Sequence, residues 1–184
     1  MNTNRLSKNI EEILNRQVTK EGEAAQIYLS YACWADDQGY GGIATYLFKH
    51  SQEERDHMMK VMRYIMDRGG KVKITALQQP PADPSSLQDC FQKTFQHEVD
   101  NSNAIYDIVN LAHDEKDWAT YNFAQWFVEE QIEEEKLVMD LLDKLKIAGG
   151  DKATDESLFG LDQELGKSDG EFPLPREASM ENPD

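Results

Sequence analysis

The sixteen residues from Gly69 to Pro84 constrain the fold more than any other stretch of the chain. Pro80, Pro81 and Pro84 make this segment extended, not helical. Long runs of helical periodicity lie on both sides of it. Connections of this length are unusual inside a compact domain and need a structural reason. Fully extended, it reaches at most about 50 Å. The run before it, Ile43 to Arg68, makes a helix about 40 Å long. The segment can therefore span a whole helix bundle, so that the third helix starts at the end where the second one started.

Four apolar stripes define the helices. The first runs from Leu6 to Asp37 through Leu6, Ile10, Ile13, Leu14, Gln17, Glu21, Ala24, Ala25, Tyr28 and Ala32; Gly39, Gly41 and Gly42 follow it. The second, Ile43 to Arg68, carries Leu47, Glu54, Val61 and Ile65 on one stripe and stops at Gly69 and Gly70. The third opens on a capping box, Ser85-x-x-Gln88, and continues through Leu87, Phe91, Thr94, Glu98, Ile105, Ile108 and Ala112. The fourth, Trp118 to Ile147, carries Ala124, Phe127, Gln131, Glu134, Val138, Leu141 and Leu145. A short amphipathic stretch, Asp155 to Leu165, reads as a fifth helix. The expected architecture is all-α: a four-helix bundle with a long crossover between its second and third helices and a short C-terminal helix. Residues 1–166 form one domain, and 167–184, rich in Gly, Pro, Ser and acid, read as a flexible tail.

Each long stripe is interrupted near its middle by a group that an apolar core does not tolerate alone. These are Glu21, Glu54 with His57, Glu98, and Gln131 with Glu134. Glu54 and His57 stand three residues apart and face the same way. Glu-x-x-His is a ligand pattern of carboxylate-bridged di-iron bundles. The depths agree: Glu21 lies 16 residues before Asp37, Glu54 lies 11 after Ile43, Glu98 lies 16 before Asp114, and Gln131 lies 14 after Asp117. At 1.5 Å per residue, all four fall within about one or two turns along the bundle axis. Carboxylates gathered at one depth repel one another without a cation. Oxygen donors with one imidazole suit iron, manganese or zinc. Glu130, Glu133 and Glu134, with Glu53, offer a second, oxygen-only site beside the first. Tyr28, seven residues beyond Glu21, faces the same way, as an electron donor, as a hydrogen-bond partner of a ligand, or as a core aromatic.

Composition narrows the function classes. Net charge is −16, which repels phosphates and argues against a nucleic-acid partner; it fits a cation-handling role or plain solubility. Cys33 and Cys90 form no Cys-x-x-Cys pair, so a disulfide framework and a zinc or rubredoxin-type site are not indicated. No run has signal-peptide character or membrane-spanning length, which makes the cytoplasm the expected compartment and a membrane partner unexpected.

These stretches resemble the ferritin family, and the fourth helix resembles its prokaryotic non-haem branch. The resemblance runs from about Leu6 to Leu165 and rests on Asn15 to Glu21 with Tyr28, on Gln52 to Glu54 with His57, on His97-Glu98, and on Asn122 to Leu137. It implies a dinuclear ferroxidase centre with Glu21, Glu54, His57, Glu98 and Gln131 as ligands and Glu54 bridging. It also implies a third iron site from Glu53, Glu130, Glu133 and Glu134, and places Tyr28 beside the centre. The implied activity is oxidation of Fe(II) by O2 or H2O2, followed by storage of ferric oxyhydroxide in a hollow shell of twenty-four subunits.

Three positions depart from related patterns. Arg55 stands where bacterioferritins carry the haem-ligating methionine, so no haem is expected. Gln131-Ile132-Glu133-Glu134 replaces their second Glu-x-x-His. Trp118, Tyr121 and Ala124 stand where animal ferritins line threefold channels with acids. Two rival readings are a rubrerythrin-like di-iron peroxide reductase and a non-enzymatic structural shell subunit. The first normally needs a rubredoxin cysteine pair or a redox partner, and the second lacks the carboxylate set that this chain carries.

Overall fold

The computed structural model describes residues 3–167. It contains α1 (Lys8–Asp37), α2 (Gly41–Asp67), α3 (Leu87–Asp114), α4 (Trp118–Ala148), a 3-10 turn (Gly150–Lys152) and α5 (Asp155–Lys167). The four long helices form the bundle, α1 packing chiefly on α2 and α3 on α4, while α5 closes one end against α2. Among the described residues there is no strand, and no helix is long and apolar enough to cross a membrane.

Local chemistry fixes the helix ends. The Ser7 hydroxyl accepts from the Ile10 N–H to start α1, and the Asp117 carboxylate accepts from Thr120 to start α4. At α3 the cap differs from the sequence expectation. Ser86, not Ser85, caps the helix by accepting from Asp89 N–H, and the Asp89 carboxylate accepts from the Ser85 N–H at 2.8 Å. The reciprocal pairing of a capping box is thus shifted by one residue, because Asp89 competes better than Gln88 for a backbone donor near the positive helix end. The α2 N-terminus has no side-chain cap of its own. Asp162 of α5 supplies one from a distance, its Oδ1 accepting from Ile43 N–H at 2.9 Å.

The crossover lies along α1. Asn15 Nδ2 donates to the Lys71 carbonyl at 3.0 Å, Lys73 N–H donates to Asn15 Oδ1 at 2.6 Å, and Gln78 N–H donates to Glu23 at 3.2 Å. Successive partners on α1 advance with the chain, as an extended segment running the length of the bundle requires. Side chains of α1 thereby partner backbone groups of the crossover at Lys71, Lys73 and Gln78 without a sheet or helix.

Helix α5 runs two residues further than the sequence expectation, through Gly166 and Lys167. The reason is a close approach: a Cβ on Gly42 would lie 1.8 Å from the Asp162 carbonyl oxygen, and one on Gly166 would lie 3.0 Å from the Gly42 Cα. Two facing glycines, Gly42 on α2 and Gly166 on α5, let the two helices approach this closely. Of the expected tail at 167–184, Lys167 closes α5, and residues 168–184 lie outside the described residues.

The apolar core is divided into two clusters. One gathers Tyr28, Tyr31, Ile43, Leu47, Phe91, Val138, Leu141 and Leu161 toward the α5 end. The other gathers Ile10, Leu14, Val18, Val61, Ile65, Ile105, Ile108 and Phe127 toward the opposite end. Between them, on every one of the four helices, lies the polar layer that the sequence places at mid-depth.

Candidate metal centre

The layer is deeply buried. Glu21 and Glu98 are fully buried, Gln131 is 1% exposed, Glu54 2%, Glu134 3% and His57 5%. Helical periodicity places them there: each sits in register with apolar residues that must face the bundle axis, so its own side chain has no route to bulk water. Ligand atoms of Glu21, Glu54 and His57 all lie within 4.8 Å of one another. His57 Nδ1 is 3.3 Å from Glu54 Oε2, and His57 Nε2 is 3.7 Å from Glu130 Oε1.

An amide network holds these carboxylates from behind. Gln17 Nε2 donates to Glu21 Oε1 at 2.8 Å and to Asn101 Oδ1 at 2.7 Å. Asn101 Nδ2 donates to Glu21 Oε2 at 3.3 Å and to Gln131 Oε1 at 3.4 Å. Gln131 Nε2 donates to Glu98 Oε2 at 3.2 Å, and the Tyr28 hydroxyl donates to Glu98 Oε1 at 2.6 Å. Tyr28 is therefore a hydrogen-bond partner of Glu98 in this geometry. Helices α1, α3 and α4 meet in one hydrogen-bonded unit, and neutral donors orient the charged oxygens.

The electrostatics are those of a site short of positive charge. Burial pushes the Glu54 carboxyl well above the ordinary carboxylate range; the His57 hydrogen bond opposes this, while Glu98 and Glu21 add to it. Burial works against the His57 cation, but Glu130 and Glu54 overcome it and raise the imidazole to about 11. Burial also opposes Glu98 ionisation, and here His97, Tyr28 and Gln131 prevail and hold its carboxyl below the ordinary value. Burial, then Glu98, Glu134 and Glu54, push the Tyr28 phenol well up, so it stays a donor at neutral pH. A divalent cation would relieve the carboxylate crowding, and the hard oxygen donors with one imidazole match iron, manganese or zinc.

A second group lies beside the first and differs from the oxygen-only set expected from sequence. Ligand atoms of His50, Glu53 and Glu134 lie within 4.8 Å of one another. Glu130 faces His57 instead, and Glu133 is half-buried and belongs to neither group among the described residues. Sequence reasoning passed over His50 and Asn101. Signals for both were present: His50 precedes Glu54 by four residues and His57 by seven, and Asn101 follows Glu98 by three, so each shares a helix face with a candidate ligand.

Comparison with known proteins places the chain. A family model for the ferritin-like domain matches residues 11–148. A protein of Haemophilus influenzae described as a probable bacterial non-heme ferritin-like protein is 38% identical over 161 residues, covering 88% of this chain and 96% of the relative. A bacterial non-heme ferritin of Campylobacter jejuni is 38% identical over 144 residues, covering 78% and 86%. Among solved structures, an open pore ferritin from the archaeon Archaeoglobus fulgidus superposes with a TM-score of 0.84 at 40% identity, covering 88% of this chain and 98% of that one. With the fold, the buried polar layer and these relatives in agreement, the chain belongs to the ferritin family.

Proposed function

We propose that this protein stores iron in the cytoplasm, oxidising Fe(II) at a dinuclear centre and holding the ferric oxyhydroxide product inside a shell of twenty-four copies. One observation carries the reading: a ring of buried carboxylates with one imidazole cuts through an otherwise apolar core at a single depth on all four helices. The names of the non-heme ferritin relatives support iron as the ion.

In this reading Glu21 and His57 hold one Fe(II), Glu98 with the neutral Gln131 holds the other, and Glu54 bridges them. Each Fe(II) gives one electron; with two protons, the pair converts O2 to H2O2. H2O2 is an alternative oxidant, taking two electrons and two protons to become two waters. Anionic oxygen ligands stabilise Fe(III) more than Fe(II), which favours the forward step. Tyr28, hydrogen-bonded to Glu98, keeps that ligand ionised and stands ready as an electron donor. A further iron occupies the acidic neighbourhood of Glu53, Glu130, Glu133 and Glu134. Arg55 leaves no thioether for haem.

The test is anaerobic addition of two Fe(II) per subunit, followed by air. A transient visible absorption and a particle of several hundred kilodaltons on size exclusion are expected. A Glu54→Ala protein that oxidises iron as fast as the parent would overturn the assignment.

A further inference from the structure

We propose that the groove between the C-terminal end of α1 and the start of α3 seats Phe172-Pro173-Leu174-Pro175 of the same chain. Docking there involves no metal, so it stands or falls apart from the iron chemistry.

The groove is apolar at its base. Trp34 of α1, Tyr40 of the α1–α2 turn and Leu158 of α5 are partly buried against the core, and with Leu87 and Leu145 they line a recess of about 330 Å³. A second recess of about 270 Å³ shares Gln88, Leu145 and Gly150 with the first and continues it between α3 and α4. Recesses of this size are ample for large side chains. Covering apolar walls that face water is favourable.

Two aromatic walls suit a proline-bearing peptide. Proline-rich segments are pre-organised in the polyproline II conformation and dock between aromatic side chains at little entropic cost. Phe172-Pro173-Leu174-Pro175 places four apolar residues in succession within a stretch that is otherwise mostly polar and charged. Prolines have no N–H, so such a run offers mainly carbonyl acceptors. Gln88, common to both recesses, supplies a side-chain amide donor for them. The rim matches in charge as well. It carries Lys146 and Asp143, and the run is followed by Arg176 and Glu177.

Helix α5 ends near this groove. A Cβ on Gly166 would lie 3.0 Å from the Gly42 Cα. Tyr40 stands two residues before Gly42, within about 8 Å of it, and is itself a wall of the groove. Phe172 follows Lys167 by five residues, a reach of up to about 17 Å. So short a tether holds the run at an effective concentration in the millimolar range, which favours the chain's own segment over that of another copy.

Carbodiimide joins a lysine to a carboxylate where the two are in contact. The full chain, coassembled from unlabelled and nitrogen-15-labelled protein, is expected to give links from Lys146 or Lys152 to Glu171 or Glu177, both peptides carrying the same isotope. Links of mixed isotope would put a neighbour's segment in the groove. Links from these acids to other lysines alone would put the segment elsewhere. Either result overturns the inference. Hydrogen exchange supplies the second measurement. Phe172→Ala changes a residue beyond α5 and leaves the bundle intact. Amides at 87–92 and 150–158 are expected to exchange at least threefold faster in this variant than in the parent, with those around Gln131 unchanged. Exchange equal to the parent's along the groove would overturn the inference whatever the cross-links. Fe(II) oxidation by this variant is expected to match the parent's, so a failure here leaves the dinuclear centre untouched.

Discussion

Replacing Glu54 with Gln keeps the volume of the side chain and removes its charge, which separates the two roles this carboxylate plays. In the metal-free protein its ionised form is unfavourable, because burial and the neighbouring Glu98 and Glu21 outweigh the pairing with His57. The sign follows from linkage. A carboxyl whose folded pKa is raised costs nothing below its unfolded value, near 4.5, and progressively more as pH climbs through the range between the two values. The apo Glu54→Gln protein is therefore expected to melt above the parent at pH 8 and level with it near pH 4. With Zn2+ present the order reverses. One ion at a hundred times its dissociation constant adds about 2.7 kcal/mol. For a chain of this size that corresponds to a rise of roughly 5–11 °C per site in the parent. Glu54→Gln loses a charged donor from the Glu21, Glu54 and His57 group and with it most of that rise. Scanning calorimetry with and without Zn2+, which undergoes no oxidation, reads both effects. A variant that keeps the full zinc-induced rise, or one that is less stable than the parent without metal at pH 8, refutes the reasoning.

Four further outcomes follow from the geometry. Zinc binding at pH 7 releases a proton, because His57, raised to about 11, carries one that a metal displaces; the apparent affinity climbs with pH up to about 11, and calorimetry in buffers of different ionisation heat measures it. Tyr28→Phe removes the 2.6 Å bond to Glu98, raises the Glu98 pKa, and slows Fe(II) oxidation without changing the number of zinc ions bound, as stopped-flow absorbance and dialysis will record. Asp162→Ala strips α2 of its distant cap and costs about 1.5–3 kcal/mol in thermal melts, whereas Asp162→Asn retains at least half of the contact. Gly42→Ala drives a methyl group into the Asp162 carbonyl and exposes α5 to limited proteolysis.

The bundle was legible because two periodicities agreed. Apolar residues recur at helical spacing on all four long helices, and the proline-bearing crossover is long enough to return the chain to the other end. The depth of Glu21, Glu54, Glu98 and Gln131 was legible from simple residue counts, since helical rise converts sequence distance into height. Side-chain direction was not. Glu130 and Glu134 are four residues apart on α4, yet Glu130 turns to His57 and Glu134 to His50. Choosing between them requires the rotation of α4 against α2, which an acidic run over two consecutive turns does not encode. The α3 cap failed for a similar reason: Ser85 and Ser86 are equivalent in sequence, and the Asp89 carboxylate decides between them. The Asp162 contact joins residues 119 positions apart and has no local signature.

The central claim is that the polar layer is tolerated in the core because paired metal ions neutralise it. Crystals soaked in ferrous salt without oxygen, measured on both sides of the iron absorption edge, test it most directly. The account predicts two anomalous peaks between the helices, one beside Glu21 and His57, one beside Glu98 and Gln131, with Glu54 touching both. Absence of any peak there, with the carboxylates turned away from one another, would contradict it.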